Sequence, residues 1–275
     1  MDFDFQHIAV PFRMQPGLRR LHGGEPQLTG LVPGSALHQE KLRVVLAGQC
    51  FHSLPGFDVR PALDAIAADA SAQGLAVTLT TPEALPLAFE EDFAVLDGNT
   101  GQLAWLCVCA PSHWSPEEKL GLDFAAVHAP VADNAALQAA AGHLVRLATG
   151  GERWERFVWT ISPSPRYDQH PLRQQRTPWP VGLTPAAFAS TCFLRAERQT
   201  FFPVGQGTRQ AVFTIRVMLQ PLTQAVSTTQ QAQRMHDSLA SMSDAVLAYK
   251  NLAAAREPLL RWLGESIARP GSGGF

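Results

Sequence analysis

Two apolar runs, 93–96 and 102–110, flank Asp97-Gly98-Asn99-Thr100-Gly101, and the Asp-Gly pair supplies the turn chemistry of a hairpin. The order of segments after that hairpin constrains the fold most. Two helical segments come next, then strand-like segments at 157–161, 191–202 and 210–219, the last two joined by a turn at 203–207. Strands gathered in blocks, rather than alternating with helices, predict an α+β fold on an antiparallel sheet and exclude repeated βαβ units.

The helices can be placed from caps and periodicity. Residues 35–46 read as one helix. Pro61 suits a first helical turn, and Leu63, Ile66, Ala67 and Ala70 form an apolar stripe that stops at Gly74. The alternating segment 75–81 predicts a strand. Ser115-Pro116-Glu117-Glu118 has the form of a capping box, and that helix stops before Pro130. Asp133 is the expected cap of a second helix carrying Leu137, Ala141, Leu144 and Ala148 and closing at Gly150-Gly151. Residues 229–249 predict one helix through Met235, Leu239, Met242, Val246 and Tyr249, with Pro258 breaking its register. Residues 1–35 and 162–186 are proline- and glycine-rich: the first reads as a wrapping segment, the second as an exposed lid or docking loop. The expected organisation is one domain over 1–225 and a helical extension over 226–275, with a frayed tail at 271–274.

Composition removes several functions. The 275 residues are 46% hydrophobic and 17% charged, as in a globular protein. A net charge of −2 gives no broad footprint for nucleic acid or an anionic membrane. The apolar run 103–110 is too short to span a bilayer. Met1-Asp2-Phe3-Asp4-Phe5 lacks an export signal, which with four cysteines in so long a chain predicts a cytoplasmic protein. Gly205-Gln206-Gly207 lacks the third glycine of a dinucleotide fingerprint, and Cys107 and Cys109, one residue apart, read as buried thiols.

Two clusters invite a functional reading. His128 ends the apolar stripe of 124–128, where a satisfied structural imidazole is the first reading and a single axial haem ligand the alternative. His113 precedes Trp114 in a turn. In 195–200, strand alternation puts Arg195, Glu197 and Gln199 on one face and Arg198 and Thr200 on the other. That strand is either a solvated edge or a buried polar array in which a carboxylate holds a cationic amine and an arginine meets an anion.

With their surroundings these clusters carry a resemblance. Pro11-Phe12-Arg13-Met14, Glu90-Glu91-Asp92-Phe93 and the block from Pro111 to Gly121 occur in order with His128-Ala129-Pro130-Val131. Val158-Trp159, Arg195 to Thr200, Phe213-Thr214-Ile215-Arg216 and Pro221-Leu222 come after them. The chain resembles the haem-binding α subunit of haem-dependent oxidative N-demethylase (dimethylamine monooxygenase) over most of its length. The resemblance implies a PAS-like antiparallel sheet curved around haem b, with flanking helices and a C-terminal helix. It implies His128 as the iron ligand, with His113 as the fallback, and the Ser115 helix as the element that aims it. It further implies Glu197, Arg198 and Trp159 around the substrate, and Arg195, Arg216 and Lys119 near the cofactor. Val158 departs from the family's asparagine, and Phe202-Pro203 from its Leu-Pro.

The implied activity is NADPH-driven oxidation of one N-methyl group of a small amine such as dimethylamine, using O2 and releasing formaldehyde. Partner subunits would carry FMN and a [2Fe–2S] cluster as the reductase, and tetrahydrofolate on a folate-binding subunit. Two other functions fit the same fold: a haem-containing gas or redox sensor, and a haem-free structural subunit.

Overall fold

The computed structural model describes residues 3–268 apart from 23, 78, 80 and 206. The predicted frayed tail at 271–274 lies outside the described residues. In chain order the elements begin with β1 (Arg19–Arg20), α1 (Ala36–Leu46), β2 (Phe51–Ser53), α2 (Arg60–Ala72) and α3 (Leu85–Ala88). The hairpin β3 (Glu91–Asp97) and β4 (Gln102–Cys107) is next, then α4 (Pro116–Lys119), α5 (Phe124–His128) and α6 (Ala135–Ala148). The chain continues with β5 (Trp154–Ser162), α7 (Pro185–Ser190), β6 (Phe193–Pro203) and β7 (Gln210–Pro221). It closes through α8 (Leu222–Ala225), α9 (Thr229–Ala240), α10 (Asp244–Tyr249) and α11 (Arg256–Ala268).

The seven strands form one antiparallel sheet in the order β1-β5-β6-β7-β3-β4-β2. A hairpin, three helices and then a three-strand meander whose last strand pairs with the first of the hairpin make up the expected α+β, PAS-like arrangement. Asp97 sets the hairpin turn: its carboxylate accepts from Asn99 N at 2.9 Å and its carbonyl from Gly101 N at 2.7 Å. Gly98 is required there, because a Cβ would sit 2.5 Å from the Arg209 carbonyl.

Period-two alternation gives the sheet two different faces. The back face carries Trp159, Ile161, Leu194, Ala196 and Met218, which share one core with α7 and α9–α11. Further along it, Phe93, Val95, Trp105 and Val212 pack with Ala62, Leu63 and Ile66 of α2. The front face carries Ala94, Leu106, Phe213, Ile215 and Val217, covered by Leu37 of α1, Trp114 and Leu120. Leu96, Phe201 and Ala211 meet Val145 and Ala148 of α6 there.

Several local expectations are corrected. Residues 75–77 and 79 form no strand; Leu75, Val77 and Leu79 bury their side chains against the α2 core without pairing their backbone to the sheet. The Ser115 capping box does not form, since its hydroxyl is buried without a partner. Asp133 is not the cap of α6: its backbone is left-handed (φ 52°), and its carboxylate accepts from Ser243 Oγ at 2.9 Å. The helix predicted over 229–249 is two, because Ser243 Oγ accepts from Val246 N and starts α10 afresh. Pro258 falls in the first turn of α11, where its missing N–H costs nothing.

One buried charge pair joins α1 to the sheet. Lys41 Nζ, 0% exposed, donates to the carbonyls of Phe89 (3.0 Å) and Glu91 (2.7 Å) and lies 3.1 Å from Asp92 Oδ1. Asp92 Oδ2 accepts from Ala110 N at 2.7 Å, which ties the exit of β4 to β3. Lys41→Met leaves Asp92 charged and buried, and urea unfolding should show a loss of about 3–5 kcal/mol. Lys41→Met with Asp92→Asn should recover most of that loss, because an amide oxygen still accepts from Ala110 N. A single variant as stable as the wild type would contradict this account.

Candidate functional site

The front face carries a polar island among apolar neighbours. Arg195, Glu197 and Gln199 of β6 point to this face, where Glu197 lies opposite Val158 on one side and Val217 on the other. Arg198 and Thr200 point back, as the alternation predicts. Arg195 is 1% exposed, and all three of its nitrogens are engaged: Nε bonds Ser112 Oγ at 2.7 Å, and the remaining nitrogens bond the carbonyls of Ala110, Arg166 and Tyr167 at 2.9–3.1 Å. Ser112 in turn donates to Glu197 Oε1, and Gln199 Nε2 donates to Glu197 Oε2 at 2.7 Å. The result is a relay that holds a mostly buried carboxylate in one orientation, with lone pairs left for another donor.

His128 stands on the short helix α5, at the other end of the front face. The N-cap of α5 is Asp123, whose carboxylate accepts from Ala126 N at 2.8 Å. The helix that aims His128 is therefore not the Ser115 helix, which ends after one turn at Lys119. His128 Nδ1 lies 2.8 Å from the Phe124 carbonyl, and the two rings stack with centroids 4.1 Å apart. A carbonyl can only accept, so Nδ1 carries the proton and Nε2 keeps its lone pair. No described residue bonds Nε2. Burial lowers the His128 pKa, and the positive charges of Arg156 and Lys119 lower it further, favouring the neutral, ligating form. Lys119 Nζ donates to the Val127 carbonyl at 3.4 Å, one residue from His128.

Between α5, α6 and the sheet is a cavity of about 20 Å³ lined by Leu96, Phe124, Leu144, Trp154, Arg156 and Phe201, among others. Its lining suits the edge of a haem, with aromatic and aliphatic walls and one cation, Arg156, for a propionate; His128 is not in that lining and stands one helical turn beyond Phe124, which is. Its size is that of about one water, so a macrocycle requires α5 and α6 to draw away from the sheet. A larger open cleft of about 290 Å³ lies beside α1, but its lining is polar and Arg173 there is paired with Asp168.

The sheet separates residues that the resemblance placed together. Trp159 lies opposite Ala196 on the back face, in the core under α9–α11, and is not among the residues lining the front cavity. Arg198 and Arg216 oppose each other on that same back face. Arg198 bonds Glu155 (2.5 Å) and the Pro26 carbonyl (2.8 Å), and Arg216 bonds Glu90 (2.7 Å). His113 has a left-handed backbone (φ 61°), and burial pushes its pKa down to about 4, helped by Arg176 and Arg195.

Three residues that bond Glu197 or interact with it electrostatically escape the sequence reading. Arg156 does so because the strand starts at Trp154 rather than at the predicted 157; one more residue of alternation would have found it. Ser112 lies in the block 111–121, but nothing in its local pattern assigns it a partner. Lys250, beyond α10, donates to the Trp159 carbonyl at 2.7 Å, and burial lowers its pKa to about 8 against the pull of Glu197.

The His113 shift has a measurable sign. Below its ordinary value of 6.5 the unfolded chain takes up a proton that folded His113 refuses until about pH 4, so this residue makes stability fall with acid across that window. Glu91, raised to about 7 by burial, acts with the opposite sign above 4.5. The difference between wild-type and His113→Asn stability curves isolates the first effect, asparagine tolerating the left-handed backbone. The variant should lose less stability than the wild type between pH 6.5 and 4; parallel curves would contradict this.

No described helix is long and apolar enough to cross a membrane. No group of three or more His, Cys, Asp or Glu among the described residues could hold a metal ion; a haem iron asks for only one such ligand. The sequence profile described as Haem-dependent oxidative N-demethylase, alpha subunit-like, matches residues 71–260, a span that includes α5, the meander β5–β7 and α9–α10. With well over half its length matched, this chain belongs to the haem-dependent oxidative N-demethylase alpha subunit-like family.

Proposed function

We propose that the chain is the haem-binding subunit of an oxidative N-demethylase, holding haem b through His128 Nε2 and accepting a small secondary or tertiary amine such as dimethylamine. The observation that carries this is His128 itself: within the matched region its Nδ1 is committed to the Phe124 carbonyl, and its Nε2 has no partner among the described residues. The haem, when bound, supplies O2 activation with electrons delivered from outside the chain. The protein's part is to position and desolvate. Glu197, oriented by Ser112 and Gln199, receives the N–H of the amine, and the apolar front face keeps water from the methyl group. Loss of one methyl as formaldehyde results from collapse of the hydroxylated methyl group.

The family description names an alpha subunit, which implies companion subunits. In this reading they are an NADPH-dependent reductase carrying FMN and a [2Fe–2S] cluster and a folate-binding subunit using tetrahydrofolate, and the assembly is cytoplasmic. In this reading residues 1–225 are the haem-binding unit with its wrapping segment and 226–275 its C-terminal extension, whose helices α9–α11 buttress the back face. The close approach of α6 to the sheet favours one second reading, a haem-free scaffold of the same fold.

Haem titration of the purified chain separates the two. The first reading predicts a Soret band that is lost or shifted in His128→Ala and unchanged in His113→Asn. No Soret band after reconstitution would leave only the scaffold. In the haem-loaded protein, Glu197→Gln should weaken dimethylammonium binding by about 2 kcal/mol, the worth of a hydrogen bond to a charged group, or roughly 30-fold in Kd. An unchanged Kd would remove Glu197 from the amine site.

A further inference from the structure

Arg156 is out of keeping with the other inward-facing arginines. Arg153, Arg173, Arg195, Arg198 and Arg216 all have carboxylate, amide or carbonyl partners. Arg156 makes no hydrogen bond and no ion pair with any described residue, and its Nε is buried. Two residues back on the same strand and face, the indole Nε1 of Trp154 is also buried without an acceptor. Both side chains line the cavity under α5 and α6, beside Phe124. Glu197 and Tyr249 attract the guanidinium electrostatically, but neither bonds it. A fold does not leave an unpaired cation and an unpaired N–H in one cavity wall for stability, because each is costly to desolvate. Two convergent donors, one of them charged, ask for an anionic acceptor, and their in-plane N–H groups suit the oxygens of a carboxylate.

Resting on the function proposed above, we propose that Arg156 and Trp154 form a carboxylate-binding pair. The carboxylate comes from one of two sources: a haem propionate, or a substrate that is an N-methylated amino acid. The second source is suggested by the sheet register. Arg156 pairs with Gln199, which makes Glu197 its diagonal neighbour on the same face, about 7–8 Å away at Cα. A zwitterion such as N-methylglycine, with amine and carboxylate on adjacent ends of one carbon, can then place its amine at Glu197 and its carboxylate at Arg156. Val158, between Arg156 and Thr160 on β5 and opposite Glu197, adds no competing polar group there.

The test uses the full chain and the variants Arg156→Gln, Arg156→Lys and Trp154→Phe, with haem, haem dimethyl ester, N-methylglycine and dimethylamine as probes. If a propionate is held, the wild type binds haem at least tenfold more tightly than the dimethyl ester, and Arg156→Gln abolishes that preference without weakening the ester. If a substrate carboxylate is held, N-methylglycine binding falls at least tenfold in Arg156→Gln while dimethylamine binding does not change. Arg156→Lys, which keeps charge but loses the planar fork, falls between. Either pattern supports the pair and identifies its ligand. Insensitivity of both haem and N-methylglycine to Arg156 overturns it. The thermal midpoint without ligand is a second readout: Arg156→Gln should match or exceed the wild type, and a drop of several degrees would mark Arg156 as a structural cation and overturn the proposal. Failure of the haem reading is distinguishable, because a wild type that binds neither haem nor its ester can still be titrated with N-methylglycine. No binding there either sinks the pair as well.

Discussion

The guanidinium of Arg195 holds the front face of this protein in register. It satisfies three main-chain carbonyls from two separate stretches, Ala110 after β4 and Arg166 and Tyr167 in the long loop after β5. Through its fourth bond it orients Ser112, and Ser112 orients Glu197. A buried arginine is tolerable only when its donors are met, so the loop's path and the carboxylate's direction are set by the same requirement. Lys41 and Asp92 do the equivalent for α1 and the β4 exit. The polar groups of the front face are thus held by other polar groups rather than left to find solvent, which is the preorganisation an orienting site needs.

Strand alternation decides which of the remaining charges belong with Glu197. Because β6 turns successive side chains to opposite sides, Arg198 and its cross-strand neighbour Arg216 serve the back face, where Glu155 and Glu90 meet them. Trp159 is likewise a core residue under the C-terminal helices. Alternation was legible in the sequence, and so was the face shared by Arg195, Glu197 and Gln199. What alternation could not supply was where β5 begins, and Arg156 lies in that unread margin. The blocked strand–helix order and the Asp97-Gly98 turn were enough for the fold class. The failures are local and have one form: residues 75–81, Ser115 and Asp133 each show a good local pattern that tertiary contacts override. Leu75 and Val77 gain more from the α2 core than from an edge pairing, and Asp133 is taken by Ser243.

The proposed haem and amine residues lie within the region that the family match covers. The matched region spans both the helix that carries His128 and the strands that carry Glu197 and Arg156. His128 owes its direction to a bond within its own helix, so the imidazole stays aimed whether or not α5 and α6 lie close to the sheet. The contact of α6 with the sheet is made by Leu144, Val145 and Ala148 against Leu96, Phe201 and Ala211, side chains without directional bonds, whereas the start of α5 is tied to β4 by the Leu103 N to Leu122 carbonyl bond and the Gln102–Asp123 bridge. The α6 contact separates at a cost in buried apolar area alone, whereas the back face is joined by a large continuous core. Opening for a cofactor therefore belongs to the front.

Hydrogen–deuterium exchange with and without added haem tests that assignment most directly. The account predicts slowed exchange in α5, α6 and the front-lining strands β5–β7, with α9 and α11 unchanged. Protection centred on α9–α11, or no change anywhere in a protein that takes up haem, would place the cofactor off the front face and contradict it.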